Sequence, residues 1–166
     1  EFGEGQEYIE QSSELYDLEL HRALMALYAE DPGVVRRVFL ALNLWLRGYP
    51  DRAVEQMLHI VQLTRDMGDL YGQTFALFFT ASLHQYRKDW QSAQDYASAI
   101  MTLARAEGFL LWEAGATAMQ GWAFSEQGRY EEGIVLLRQG LPGWRATGAK
   151  VGQPYIHGLL AEALGQ

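Results

Sequence analysis

Apolar residues recur at three- and four-residue spacing through most of the chain. Polar stretches containing glycine cut them into segments of helix length. The pattern predicts helices over Gly33 to Arg47, Asp51 to Asp66, Leu70 to Arg87, Trp90 to Glu107, Leu110 to Glu126, Tyr130 to Thr147 and Gly152 to Leu164. Ahead of them, Glu1 to Leu15 reads as a helix, and Tyr16 to Glu30 as an irregular connector with a short helix over His21 to Tyr28. Asp31-Pro32-Gly33 opens the next helix, with Asp as cap and Pro in the first turn. Gly48, Gly68, Gly108, Gly128 and Gly148 fall where left-handed glycines end helices. Apolar-polar alternation of period two is not sustained anywhere, so no strand is predicted.

The helices are copies. Arg47-Gly48-Tyr49-Pro50-Asp51-Arg52-Ala53 returns forty residues on as Arg87-Lys88-Asp89-Trp90-Gln91-Ser92-Ala93. It returns again as Gln127-Gly128-Arg129-Tyr130-Glu131-Glu132-Gly133. Arg65-Asp66-Met67-Gly68, Arg105-Ala106-Glu107-Gly108 and Arg145-Ala146-Thr147-Gly148 keep the same step, as do the small residues Ala41, Ala81, Gly121 and Ala161. Self-similarity at such a step marks a repeat array. The expected fold is all-α: an α-solenoid, a right-handed superhelix of antiparallel helix-turn-helix repeats of about forty residues. Within 1–166 the units are 1–31 (second helix of a truncated repeat plus connector), 32–70, 71–110, 111–150, and 151–166 (first helix of a truncated repeat). Small residues on the first helix of each unit (Ala41, Ala81, Gly121) face small residues on the second (Ala53, Ala93, Gly133) at their closest approach. Leu40, Leu44, Met57, Ile60, Leu77, Leu83, Ile100, Leu137 and Leu141 are among the residues that fill the layers.

The small residue in mid first helix, the Gly-x-aromatic turn and the small residue three beyond the ring resemble tetratricopeptide repeats. Ala81, Lys88-Asp89-Trp90 and Ala93 carry that resemblance, as do Gly121, Gly128-Arg129-Tyr130 and Gly133. The step exceeds the usual thirty-four, and the longer form is similar to repeats of bacterial multidomain signalling ATPases, including maltose-type transcription activators. Asp31-Pro32-Gly33-Val34-Val35, Leu44-Trp45-Leu46-Arg47-Gly48-Tyr49-Pro50-Asp51 and Trp144-Arg145-Ala146-Thr147-Gly148 look like the arrays of class III adenylate/guanylate cyclase-like proteins that also carry an AAA-type ATPase module. The resemblance implies a non-catalytic, cytoplasmic interaction or regulatory module, with the parent's cyclase and ATPase chemistry lying upstream. HEAT repeats share the step but lack the Gly-x-aromatic turn, and stand as the alternative fold.

Charge and motifs narrow the function. The net charge is -8, with 13 Lys and Arg scattered and Lys only at Lys88 and Lys150. That is no basic stripe for nucleic acid, nor for an anionic membrane. The sequence has no cysteine, hence no disulfide framework or thiolate metal site. No apolar run is long enough to span a bilayer, and the acidic start is unlike a signal peptide. There is no phosphate loop and no nucleophile elbow. His21, His59, His84 and His157 lack metal-site spacing, and His84 reads as a core or edge histidine with one hydrogen bond. No cofactor, metal or catalytic residue is expected.

The repeat register places Trp45, Phe75, Phe78, Tyr86, Trp122 and Tyr155 on the concave side, with Ser82, Gln85, Ser125, Glu126 and Glu162. A carboxylate clamp of Lys, Arg and Asn is missing there. Two readings stay open: a tightly wound array buries these rings, or they line a groove for an apolar or amphipathic protein segment. The expected partner is a protein or peptide segment, other domains of the parent chain included. Homodimerisation through uncapped ends and a small-molecule sensor are the alternatives.

Overall fold

The structure, a computed structural model, describes residues 31–166. The expected helix over Glu1 to Leu15, the connector and its short helix lie outside the described residues. Among the described residues the protein is all-α. Its helices are α1 (Pro32–Leu46), α2 (Pro50–Met67), α3 (Leu70–Tyr86), α4 (Trp90–Glu107), α5 (Leu110–Glu126), α6 (Tyr130–Ala146) and α7 (Gln153–Leu164). Each runs within a residue of the bounds that periodicity and turn residues predict. The chain divides into two compact units, 1–79 and 80–166, and the boundary falls inside α3.

The forty-residue ruler governs burial as well as helix starts. On α2 the buried stripe is Ala53, Met57, Ile60, Val61 and Thr64. On α4 it is Ala93, Ala97, Ile100, Met101 and Ala104, and on α6 Gly133, Leu137, Gly140, Leu141 and Trp144. The three stripes coincide position for position. Each is the single apolar face of an amphipathic helix. By contrast α5 is buried around most of its circumference, from Trp112 through Ala123 with few gaps, as befits a helix covered on several sides.

In the first unit α1 packs on α2. Asp31 caps α1, its Oδ1 accepting from Gly33 N at 2.6 Å and Val34 N at 3.3 Å, and Pro32 occupies the first turn. Val38, Ala41, Ala53 and Met57 are fully buried. Asp69 accepts from Gly72 N at 2.8 Å, and its other oxygen would lie 2.1 Å from a Cβ at residue 72. A glycine there gives the buried carboxylate its room. Burial, and next to it the charge of Asp31, holds the Asp69 carboxyl above its ordinary range despite the backbone hydrogen bond from Gly72.

In the second unit α5 packs against α4 and α6, α6 against α7, and α5 also touches α7. Helices α5 and α6 run antiparallel. A Cβ on Gly121 would meet Gly133 and Leu137, whereas one on Gly140 would meet Ala114 and Ala118, and one on Gly143 would meet Ala114. Small residues therefore line the whole seam, beyond the Gly121/Gly133 pair that the repeat register singles out. At the far end, Trp112 and Trp144 meet edge to face at 6.2 Å. The Trp144 Nε1 donates to the Val151 carbonyl at 2.8 Å.

Candidate functional site

The sequence offers a set of rings on the first helix of each unit, and the two units treat them separately. In the first unit Phe75 and Phe78 are buried. Both meet Phe79, at 4.9 Å and 5.6 Å between ring centroids, and Phe39 reaches the same ring at 6.2 Å. They form an aromatic cluster with a buried side at Phe75 and Phe78 and an exposed edge at Phe39. Trp45 is half-buried.

In the second unit the structure brings together Tyr86, Trp122 and Tyr155, at the end of α3, on α5 and on α7. Tyr155 Oη donates to Gln85 Oε1 at 3.2 Å, and its ring meets Tyr86 edge-on at 6.3 Å. Burial, followed by the neighbouring Tyr86 and Glu162, pushes the Tyr155 phenol far above its ordinary range, with a Ser82 hydrogen bond opposing. It stays a neutral hydrogen-bonding group at any physiological pH. Tyr86 remains 44% exposed and Trp122 only 1%. Of the three rings, Tyr86 is open to an incoming molecule while Trp122 is covered.

Lys88 lies beside it. Its ammonium lies 5.8 Å from the centre of the Trp122 ring. It donates to Glu126 Oε1 at 3.1 Å and also to Glu162 Oε1. The hydrogen bond to Glu162 comes first among the causes that raise the Lys88 pKa, with the one to Glu126 adding to it against a partial desolvation. Next to this cluster a shallow depression of about 130 Å³ is lined by Trp122, Ser125, Glu126, Tyr130, Glu162 and Ala163. Ser125 is turned inward, its Oγ donating to the Gly121 carbonyl at 3.0 Å. A second, open depression of about 290 Å³ lies between the start of α5 and the end of α6, where Leu110, Thr117 and Gly143 are among its lining.

The turn carrying Lys88 is braced from below. His84 Nδ1 and Asp89 Oδ2 are 2.9 Å apart, and the His84 ring stacks on Tyr96 at 5.4 Å. Asp89 Oδ1 accepts from Ser92 N at 3.1 Å and so caps α4. Partial burial would raise the Asp89 carboxyl, but its hydrogen bonds from Ser92 and from His84 outweigh it and hold the group below its ordinary range. His84 is thus a structural histidine tied to a helix cap.

Glu126 and Glu162 are the carboxylates nearest the rings, and both are engaged by Lys88. Among the described residues no group of three or more His, Cys, Asp or Glu is placed to hold a metal ion. No helix of the described residues is long and apolar enough to cross a membrane. The repeat register puts Tyr86, Trp122, Tyr155, Glu126 and Glu162 on this face, and the structure adds Lys88 to them. The signal for it was present. At the equivalent turn positions the other copies have Gly48 and Gly128, with φ +86° and +79°, and Lys88 takes the same left-handed conformation at +58°.

Fold and site together define an all-α protein with helical-repeat character whose polar and aromatic side chains converge at helix ends. Neither the protein-family models nor the curated proteins compared with the chain gave a match.

Proposed function

We propose that the chain is a non-catalytic interaction module, a solenoid of tetratricopeptide type within a larger bacterial signalling protein of the cyclase/ATPase kind. It binds a protein segment, either another domain of its parent or a separate partner. The observation that carries this reading is phase. Helix starts at Pro50, Trp90 and Tyr130, and the buried stripes behind them, repeat at forty-residue intervals. Repetition of that kind marks an array of like helix pairs, and such arrays recognise partners by preformed shape. On the face of the second unit, Tyr86 supplies an exposed ring beside half-buried Tyr155 and exposed Tyr130. Rings of this type are the usual anchors of protein interfaces.

The test is calorimetric titration of the chain against the other domains of its parent, and against a peptide array. A Tyr86→Ala variant is expected to weaken the complex by about tenfold or more, the loss of one aromatic anchor. Trp45→Ala, at a half-buried ring of the first unit, reports whether that unit contributes. Absence of binding to every parent domain and every peptide, or a complex indifferent to both variants, counts against the reading.

A further inference from the structure

We propose that Lys88 is an ionic latch that closes the end of α3 onto α7 across α5. The argument begins with the backbone. A left-handed turn residue with a Cβ is disfavoured, which is why glycine holds Gly48 and Gly128 at the matching positions. Lys88 breaks that local rule, and such breaks call for a compensating role elsewhere. The side chain supplies one. Its ammonium reaches Glu126, thirty-eight residues on at the end of the next first-type helix, and Glu162, seventy-four residues on in the one after that.

The Glu162 contact bridges helices that are not sequence neighbours. Beside it, the Tyr155 hydrogen bond to Gln85 and the Tyr86–Tyr155 edge contact make the same connection. Together they draw the end of α3 to α7 over the Trp122 ring. The seam consists of exposed or half-exposed polar groups: the side chains of Lys88, Glu126 and Glu162 are 53%, 25% and 40% exposed. Contacts of this kind are weak in net terms and are screened by salt. Closure is accordingly poised, responsive to ionic strength and to any change that removes the lysine charge. Arg129, which caps α6 and stacks on Phe124 of α5, pairs with Glu132 in the first turn of α6 and provides a control away from the α3–α7 seam.

The sequence contains no cysteine, so spin labels can be placed cleanly at Gln91→Cys and Leu164→Cys, both exposed and outside the latch. Double electron–electron resonance then reads the spacing between the Lys88 turn and the end of α7 in the full chain. At low salt the parent is expected to give one narrow distance distribution. In about 1 M salt, where the screening length falls to roughly 3 Å, the mean lengthens and the width at least doubles. Lys88→Gln and Glu162→Gln give the open distribution at both salt concentrations, Lys88→Arg keeps the closed one, and Glu132→Gln behaves as the parent. Circular dichroism verifies helicity for each. The proposal is overturned if Lys88→Gln and Glu162→Gln match the parent at low salt, or if salt lengthens the spacing in them as much as in the parent.

Discussion

Adding one methyl group to a glycine has opposite signs at two places in the second unit. Gly121 lies in α5, against α6. A Cβ there would stand 2.7 Å from the Gly133 carbonyl oxygen, 2.9 Å from Leu137 N and 2.9 Å from Leu137 Cγ. Two of these three atoms are backbone and cannot rotate away, so α6 as a whole has to retreat toward the 3.4 Å at which ordinary contact begins. Retreat also loosens the Gly140 contacts with Ala114 and Ala118 further along the seam. Overpacking of this kind costs about 1–3 kcal/mol, and rigid backbone neighbours place it at the upper end. The better helix propensity of alanine returns about 1 kcal/mol, which leaves Gly121→Ala about 2 kcal/mol less stable. Gly158 is also inside a helix, α7, but no atom lies within 4 Å of where its Cβ would be. Gly158→Ala therefore keeps the propensity gain alone and is expected to be about 0.5–1 kcal/mol more stable. For a chain of this size those values mean a melting point lower by roughly 4–8 °C in the first case and higher by about 1–4 °C in the second. Urea titrations followed by circular dichroism give both. The packing argument is refuted if the two midpoints move the same way, or if Gly121→Ala is as stable as the parent.

Trp122→Ala, which empties a site 1% exposed, is expected to cost about 3–5 kcal/mol, read as a lowered urea midpoint; a loss below about 1 kcal/mol would mean the ring is not core. Gly72→Ala collides with the Asp69 carboxylate and is expected to cost about 1–2 kcal/mol through loss of the α3 cap, whereas a neutral result would show that Asp69 moves freely. The Asp89 carboxyl is held below its ordinary 3.8 in the folded chain, so its stabilisation is fully present above about pH 4 and is lost as pH falls through the lowered folded value. Asp89→Asn keeps a capping side chain, so it should be less stable than the parent at pH 7 and converge on it below about pH 4. A stability gap that stays constant from pH 7 to pH 3 would remove the electrostatic account.

What the sequence told in advance was what is set by local chemistry. A left-handed glycine ends a helix whatever lies around it, so the turns at Gly48 and Gly128 could be placed from the chain alone, and the helix starts after them to within a residue. The forty-residue step then identified equivalent positions. Burial is a different matter, because it depends on what arrives from another helix. Ala41 and Ala81 are fully buried and Gly121 is buried, yet Ala161, in the same register, is exposed. Trp122 shares its register with Ser82 and Glu162, and nothing in that alignment says that the ring is covered while Tyr86, four residues beyond the Ser82 position, stays open. One neighbour of the ring is Lys88, a residue thirty-four positions upstream of Trp122. Its left-handed turn could have been read from the glycines it replaces. The direction of its four-carbon arm could not, because Glu126 and Glu162 become neighbours only once three helices have stacked. The same dependence on stacking makes Lys88→Gln the sharpest probe of this face: it leaves every local helix signal intact and alters only what the fold assembles.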